Sequence, residues 1–174
     1  MSKETRDKDK NDMKAAYQKL ARPGAPHALL TDMEGSWNTL TRSWMMPGQP
    51  PVESRGVSEQ KIILGGRFLY QEFKGEAMGA PFTGIGVIGY DNHKKKFVST
   101  WMDSMSTGMF HFEGDGEGKT ITMTCSYDDP VRGPMKMRTI TRIEDKQAHR
   151  FEMYGIDAHG KEEKIMEITY TKEG

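Results

Sequence analysis

The chain has 174 residues, with 25 basic and 25 acidic side chains and a formal net charge of zero. A neutral chain of this length is one domain plus a tail, able to bury a core, and it lacks the electrostatic footprint of a nucleic-acid binder. The single Cys125 excludes an internal disulfide framework, and no run approaches the roughly 20 apolar residues that a membrane-spanning helix needs.

Residues 1–14 are rich in Lys, Asp and Glu with no apolar run, which is unlike a secretory signal. With a lone thiol suited to a reducing compartment, the expected location is cytoplasmic. Residues 1–10 read as a charge run without fixed structure. Asn11 or Asp12 can cap a short helix that carries Met13, Tyr17 and Leu20 at i, i+4 and i+7. Pro23-Gly24-Ala25-Pro26 breaks it. A second short helix over 27–33 sets Leu29, Leu30 and Met33 on one side, with Gly35 placed to end it in a left-handed cap. The expected division is a charged, partly disordered tail with a short helix over 1–26 and one β-barrel domain over 27–174.

From Gly35 onward the period becomes two. Thr120-Ile-Thr-Met-Thr-Cys-Ser-Tyr127 alternates cleanly, with Ile121, Met123, Cys125 and Tyr127 on one face. Similar runs predict strands near 35–45, 53–63, 67–74, 82–90, 96–103, 109–113, 120–127, 135–143, 149–154 and 163–171. The connections carry turn chemistry, as at Asp91-Asn92-His93, Asp115-Gly-Glu-Gly118, Glu144-Asp145-Lys146 and Asp157-Ala-His-Gly160. Roughly 14 residues per strand and turn is the spacing of an all-β barrel or sandwich. No connection is long enough for a crossover helix, so the sheet is antiparallel, and closure removes its exposed edges. The expected fold is a closed antiparallel barrel of about ten strands behind one or two short helices. Residues 46–52, with Pro47, Pro50 and Pro51, and residues 128–134 form stiff connections suited to framing a barrel mouth.

Gly84-Ile-Gly-Val-Ile-Gly89 matches the letters of a dinucleotide-binding turn, but no helix follows it. The glycines instead mark a strand that bends or is closely approached. Phe97, Ser99, Trp101 and Asp103 share one strand face, and Asp103 is there either a turn cap or a polar anchor in a pocket. Histidines 27, 93, 111, 149 and 159 are scattered without metal-ligand spacing, and no cofactor or metal is expected. His111 lies in a strand, where a barrel histidine could ligate a haem, though a structural or solvated role is the commoner one. The 14 methionines suit a tolerant core or a deformable lining for an apolar ligand.

Gly35-Ser-Trp37 just after a short helix resembles the opening of lipocalin-like barrels. That resemblance implies that Trp37 plugs the closed end, under an arginine from a late strand such as Arg138 or Arg142. Together with Gly65-Gly-Arg67-Phe68, Pro81-Phe-x-Gly84, Gly89-Tyr90-Asp91, Trp101-x-Asp103-Ser104 and the ending Glu163-Lys-Ile-Met-Glu-Ile-Thr-Tyr170, it resembles the bacterial family known as domain of unknown function 1579. The resemblance spans about residues 29–170 and implies a lipocalin-like, or calycin-like, barrel with no assigned chemistry.

The functional expectation is a non-enzymatic binder of a small, mostly apolar ligand, with Arg67, Tyr90, Trp101, Asp103, Met123 and Tyr154 near the cavity. Arg67 would pair with a ligand carboxylate, or else with Asp91 or Asp103. One alternative is a barrel enzyme with Asp103 as general acid or base. Another is a solid barrel serving as an assembly module. No nucleic-acid partner and no membrane insertion are expected, and a homodimer through an outer sheet face stays open.

Overall fold

A computed structural model describes residues 3–46 and 48–174. Pro47, one of the prolines expected at the mouth, lies outside the described residues. Two helices, α1 (Lys3–Leu20) and α2 (Ala25–Thr31), precede ten strands: β1 (Gly35–Ser43), β2 (Val52–Ile63), β3 (Phe68–Ala77), β4 (Ala80–Asp91), β5 (Lys96–Asp103), β6 (Phe110–Glu117), β7 (Thr120–Asp129), β8 (Gly133–Ile143), β9 (Ala148–Ile156) and β10 (Glu162–Lys172). Each strand pairs antiparallel with the next, and β1 pairs with β10 to close the barrel, Trp37 standing opposite Lys172. Closure leaves no sheet edge for another chain to extend.

The helices differ from their expected limits. α1 begins at Lys3 rather than near Asn11. Opposite charges spaced by a helical turn, such as Asp7 with Lys10 and Lys8 with Asp12, support an exposed helix locally. Met13, Tyr17 and Leu20 face solvent, so their helical spacing does not mark a packed face. The segment after α1 is held by Asn92 in the β4–β5 turn, whose amide donates to the carbonyls of Leu20 and Arg22. α2 starts at Ala25, with Pro26 in its first turn and the Gly24 N–H donating to His27 Nδ1 at 3.0 Å. It ends at Asp32 in right-handed geometry, so Gly35 is not its cap. Gly35 instead takes φ +135° entering β1, and a side chain there would collide with Lys172.

α2 covers one end of the barrel. Leu30 and Met33 are buried against Leu69, Phe97 and Ile121. The turns 64–67, 92–95, 118–119 and 144–147 lie at this end, together with the C-terminal residues of β10. Residues 44–46 and 48–51 and the turns 78–79, 104–109, 130–132 and 157–161 lie at the other. The described residues of both expected mouth segments, 46–52 and 128–134, are therefore at the uncovered end, the second segment as a tight turn. There Asp129 accepts from the Val131 and Arg132 amides. The same carboxylate device closes the turns after Asp91, Asp145 and Asp157.

Gly84, Gly86 and Gly89 all lie inside β4, and the chain continues into a hairpin rather than a helix. A Cβ at Gly84 would sit 2.2 Å from Trp101 Cζ2, and one at Gly86 2.9 Å from Trp101 Cε3. The missing side chains make room for an indole from β5, as close approach predicts.

Candidate functional site

Alternation along the strands sends apolar side chains inward, but they do not fill the barrel. A cavity of about 350 Å³ runs inside it. That volume falls within the range of roughly 300–1,000 Å³ typical of small-molecule sites, so the barrel is not packed solid. Met33 and Leu69 bound it toward α2, while Glu76, Ala77 and Met105 bound it at the uncovered end. Its wall is mainly apolar, with Phe73, Phe82, Phe110, Phe112 and Phe151 supplying rings and Met123, Met137, Met153 and Met166 supplying adaptable thioethers.

Of the six residues expected at the site, Trp101, Asp103 and Met123 line the cavity. The Trp101 Nε1–H donates to Asp103 Oδ2 at 2.9 Å, and Asp103 Oδ1 accepts from the Met105 amide at 2.9 Å. Asp103 is thus turn cap and indole anchor together, with an accepted hydrogen bond on each carboxylate oxygen.

The other three lie outside the lining. Arg67 belongs to the turn before β3, and its Nη1 donates to the Leu64 carbonyl rather than to Asp91 or Asp103. Tyr90 shares the inward phase of β4, but at the α2 end. It meets His27 edge-on at 5.8 Å and Phe97 at 5.1 Å, beyond the cavity. Tyr154 points to the barrel's outer surface, in phase with Arg150 and Glu152. There the Arg138 guanidinium stacks on it at 4.5 Å. Two charged residues on one strand face are a sign of solvent that assigns Tyr154 to the same side.

Arg138 and Arg142 are also outside, paired with Glu162 and Glu152. Lys164 joins Glu152 at 2.6 Å and Glu167 at 2.9 Å. Burial would raise the Glu152 carboxyl, but hydrogen bonds from Lys164 and Arg142 outweigh it and hold it below the usual range. The cation over Trp37 is instead Lys172, 4.6 Å from the ring centre. The register explains this, since Lys172 is Trp37's partner on β10. The fully buried Trp37 closes the floor, its Nε1–H donating to the Met33 carbonyl at 2.9 Å.

Above that floor lies a polar group that sequence reading did not single out. Gln60, Gln71, His149 and Tyr170 all line the cavity, with Thr41, Thr139 and Thr141 around them. His149 is stacked on Tyr170 at 4.1 Å and meets Trp37 edge-on at 4.4 Å. Gln71 donates to the Tyr170 hydroxyl and to Ser58 Oγ, both at 3.2 Å. Burial, reinforced by Lys172, pushes His149 down to about 3, so the ring is neutral near pH 7. Burial raises the Tyr170 phenol to about 12 despite the Gln71 hydrogen bond. The signal for His149 was its phase, two residues before Phe151 and four before Met153. Gln60 gave none, because β2 alternates polar residues on both faces.

His111 is exposed and faces outward. Among the described residues no three His, Cys, Asp or Glu side chains are grouped to hold a metal ion, and no described helix is long and apolar enough to cross a membrane.

The chain belongs to the family described as protein of unknown function (DUF1579), whose model matches residues 22–172. No curated protein matches it significantly. Among solved structures it is similar to Rv2717c from M. tuberculosis, at TM-score 0.62 and 14% identity, covering 87% of this chain and 100% of that one. It is also similar to the S-type phycobiliprotein lyase CPES from Guillardia theta, at TM-score 0.55 and 10% identity, covering 87% of this chain and 99% of that one. At such identities the likeness is one of fold.

Proposed function

We propose that this protein is a non-enzymatic binder of a small, mostly apolar ligand held inside the barrel, with Trp101 and Met123 in the wall and Asp103 holding the indole in place. The observation that carries this reading is the cavity of about 350 Å³ with its ring and thioether lining. Apolar surface facing an unfilled interior is stabilised by covering it, at about 25 cal/mol per Å² removed from water. The likeness in fold to a phycobiliprotein lyase is compatible with a barrel that handles a ligand.

A neutral apolar dye such as N-phenyl-1-naphthylamine tests it. The expected result is saturable one-to-one binding with enhanced emission. Met123→Trp, which narrows the cavity, weakens that binding while the barrel still melts cooperatively. No saturable binding by the wild-type protein, or equal binding by the narrowed variant, defeats the reading. Native mass spectrometry of freshly purified protein would add the mass of any ligand carried through.

A further inference from the structure

The polar group near Trp37 constrains what such a ligand can be. Gln60 and His149 are 4% and 3% exposed, and both line the cavity. Gln60 Nε2 and His149 Nε2 face each other at 3.3 Å, while Gln60 Oε1 and His149 Nδ1 are buried without a partner. Two arrangements of amide and ring satisfy the close pair. In one, the amide donates to His149 Nε2, which leaves a Nδ1–H donor and the Gln60 carbonyl free. In the other, the amide is turned and accepts from Nε2–H, which leaves the Nδ1 lone pair and the Gln60 amide N–H free. Either way one donor and one acceptor stay unsatisfied, at a cost of about 1–3 kcal/mol each. Both unpartnered atoms are closed off from the cavity by their neighbours, so a head group reaches this pair by turning the soft terminal torsion of Gln60, whose Nε2 otherwise lies 3.5 Å from Ser58 Oγ.

Charge narrows the class further. Among the described residues the lining holds no lysine or arginine, and its two carboxylates, Glu76 and Asp103, stand at the uncovered end. An anionic head group driven to the floor would touch no cation, because Lys172 stands over the Trp37 ring outside the lining, with its ammonium on the Glu34 carbonyl, and such burial is unfavourable. Left at the mouth, it would meet those two carboxylates.

We propose that the cavity selects an uncharged amphiphile whose head group both donates and accepts hydrogen bonds, of primary-amide or hydroxyl type, seated against Gln60 and His149 with its apolar body toward Trp101. This rests on the ligand-binding reading above and specifies the head group it recognises. It also sets aside the acid-bearing ligand that Arg67 would have favoured, since Arg67 is not at the cavity.

The test is competition against N-phenyl-1-naphthylamine at pH 7.5 with decanamide, 1-decanol and decanoate, which share a chain and differ in head group. The amide and alcohol are expected to displace the dye about tenfold better than decanoate, the scale of one unmet buried hydrogen bond. Gln60→Met and His149→Phe should each lose most of the preference for decanamide over 1-chlorodecane, each competitor being referred to that variant's own affinity for the dye. Melting curves confirm that both variants fold, and either one alone suffices. Decanoate binding as tightly as decanamide overturns the head-group assignment and leaves the binder reading standing. So does a preference unchanged in both variants, which would mean that ordered water fills the floor instead. Failure of the dye itself to bind overturns both.

Discussion

Trp101 and Asp103 leave the same face of β5, and the indole N–H of the first donates to the carboxylate of the second at 2.9 Å. Their opposite numbers on β4 are Gly86 and Gly84. The indole therefore lies over a strip of backbone without side chains, pinned at its polar edge. A large ring is held in one orientation at the cavity wall by one hydrogen bond and two absent methyl groups.

Removing the pin should release the ring. Asp103→Ala is expected to destabilise the barrel by about 1–2 kcal/mol, because it strands a half-buried indole N–H and a turn amide. Asp103→Asn keeps one acceptor oxygen but sets its amide NH2 against the other donor, so it should lose at least half of that. Urea denaturation of the two variants checks the sizes. An Asp103→Asn variant as stable as the wild type would mean that one of the two hydrogen bonds contributes nothing.

Filling the strip should push the ring away. Gly84 has ordinary strand geometry, so alanine there costs nothing in backbone terms, yet its Cβ would lie 2.2 Å from the indole. Gly84→Ala is expected to cost about 1–3 kcal/mol as an overpacking change. The cost should shrink sharply beside Trp101→Leu, and a double-mutant cycle measures the coupling. Additive effects would contradict the close approach.

The barrel itself was legible because its evidence is periodic. Ten runs of period two with turn residues between them become ten strands, and the inward phase of Ile121, Met123 and Cys125 is observed. The site was legible only where hydrophobicity and phase agree, as at Trp101 and Met123. Tyr90 has the inward phase, but depth along the barrel, which α2 controls, decides that it packs beneath the helix. Arg67 was a matter of turn conformation. Gln60 and His149 were hidden because a buried polar residue breaks the pattern that locates a core. Which lysine or arginine covers Trp37 depends on register across the closing pair of strands, a contact made far apart in sequence.

Methionine exposure divides the chain in two. Met13, Met45, Met46, Met78, Met105 and Met109 are at least half exposed, the last five of them near the uncovered end, whereas Met33, Met123, Met135 and Met137 are buried. Sulfoxide formation follows access to the sulfur. Dilute hydrogen peroxide should therefore oxidise the first group well before the second, as read by peptide mass mapping. Early oxidation of Met123 would mean that the cavity admits peroxide freely from its open end.

His149 gives the fold an acid sensitivity that begins above the carboxylate range. In the folded barrel its ring is pushed down to about 3, first by burial and then by Lys172. In the unfolded chain it titrates near 6.5. Between those values the unfolded state holds the extra proton, so the stabilising contribution is complete above about pH 6.5 and is lost as pH falls toward 3. The slope approaches about 1.4 kcal/mol per pH unit once the unfolded ring is charged. Glu152, Glu162, Asp91, Asp129 and Asp157 also have lowered values, but their ordinary values lie at or below 4.5. Their losses are therefore concentrated below the interval from pH 6.5 to 5, in which the His149 loss falls. Urea denaturation at pH 7.5, 6.5, 5.5 and 5 should show wild-type stability falling by about 1 kcal/mol or more across that interval. His149→Phe keeps a ring between Trp37 and Tyr170 and removes this titration, so its profile should fall less steeply there by that amount. Parallel profiles would show that the ring can be protonated in place, with Gln60 or water taking up the charge.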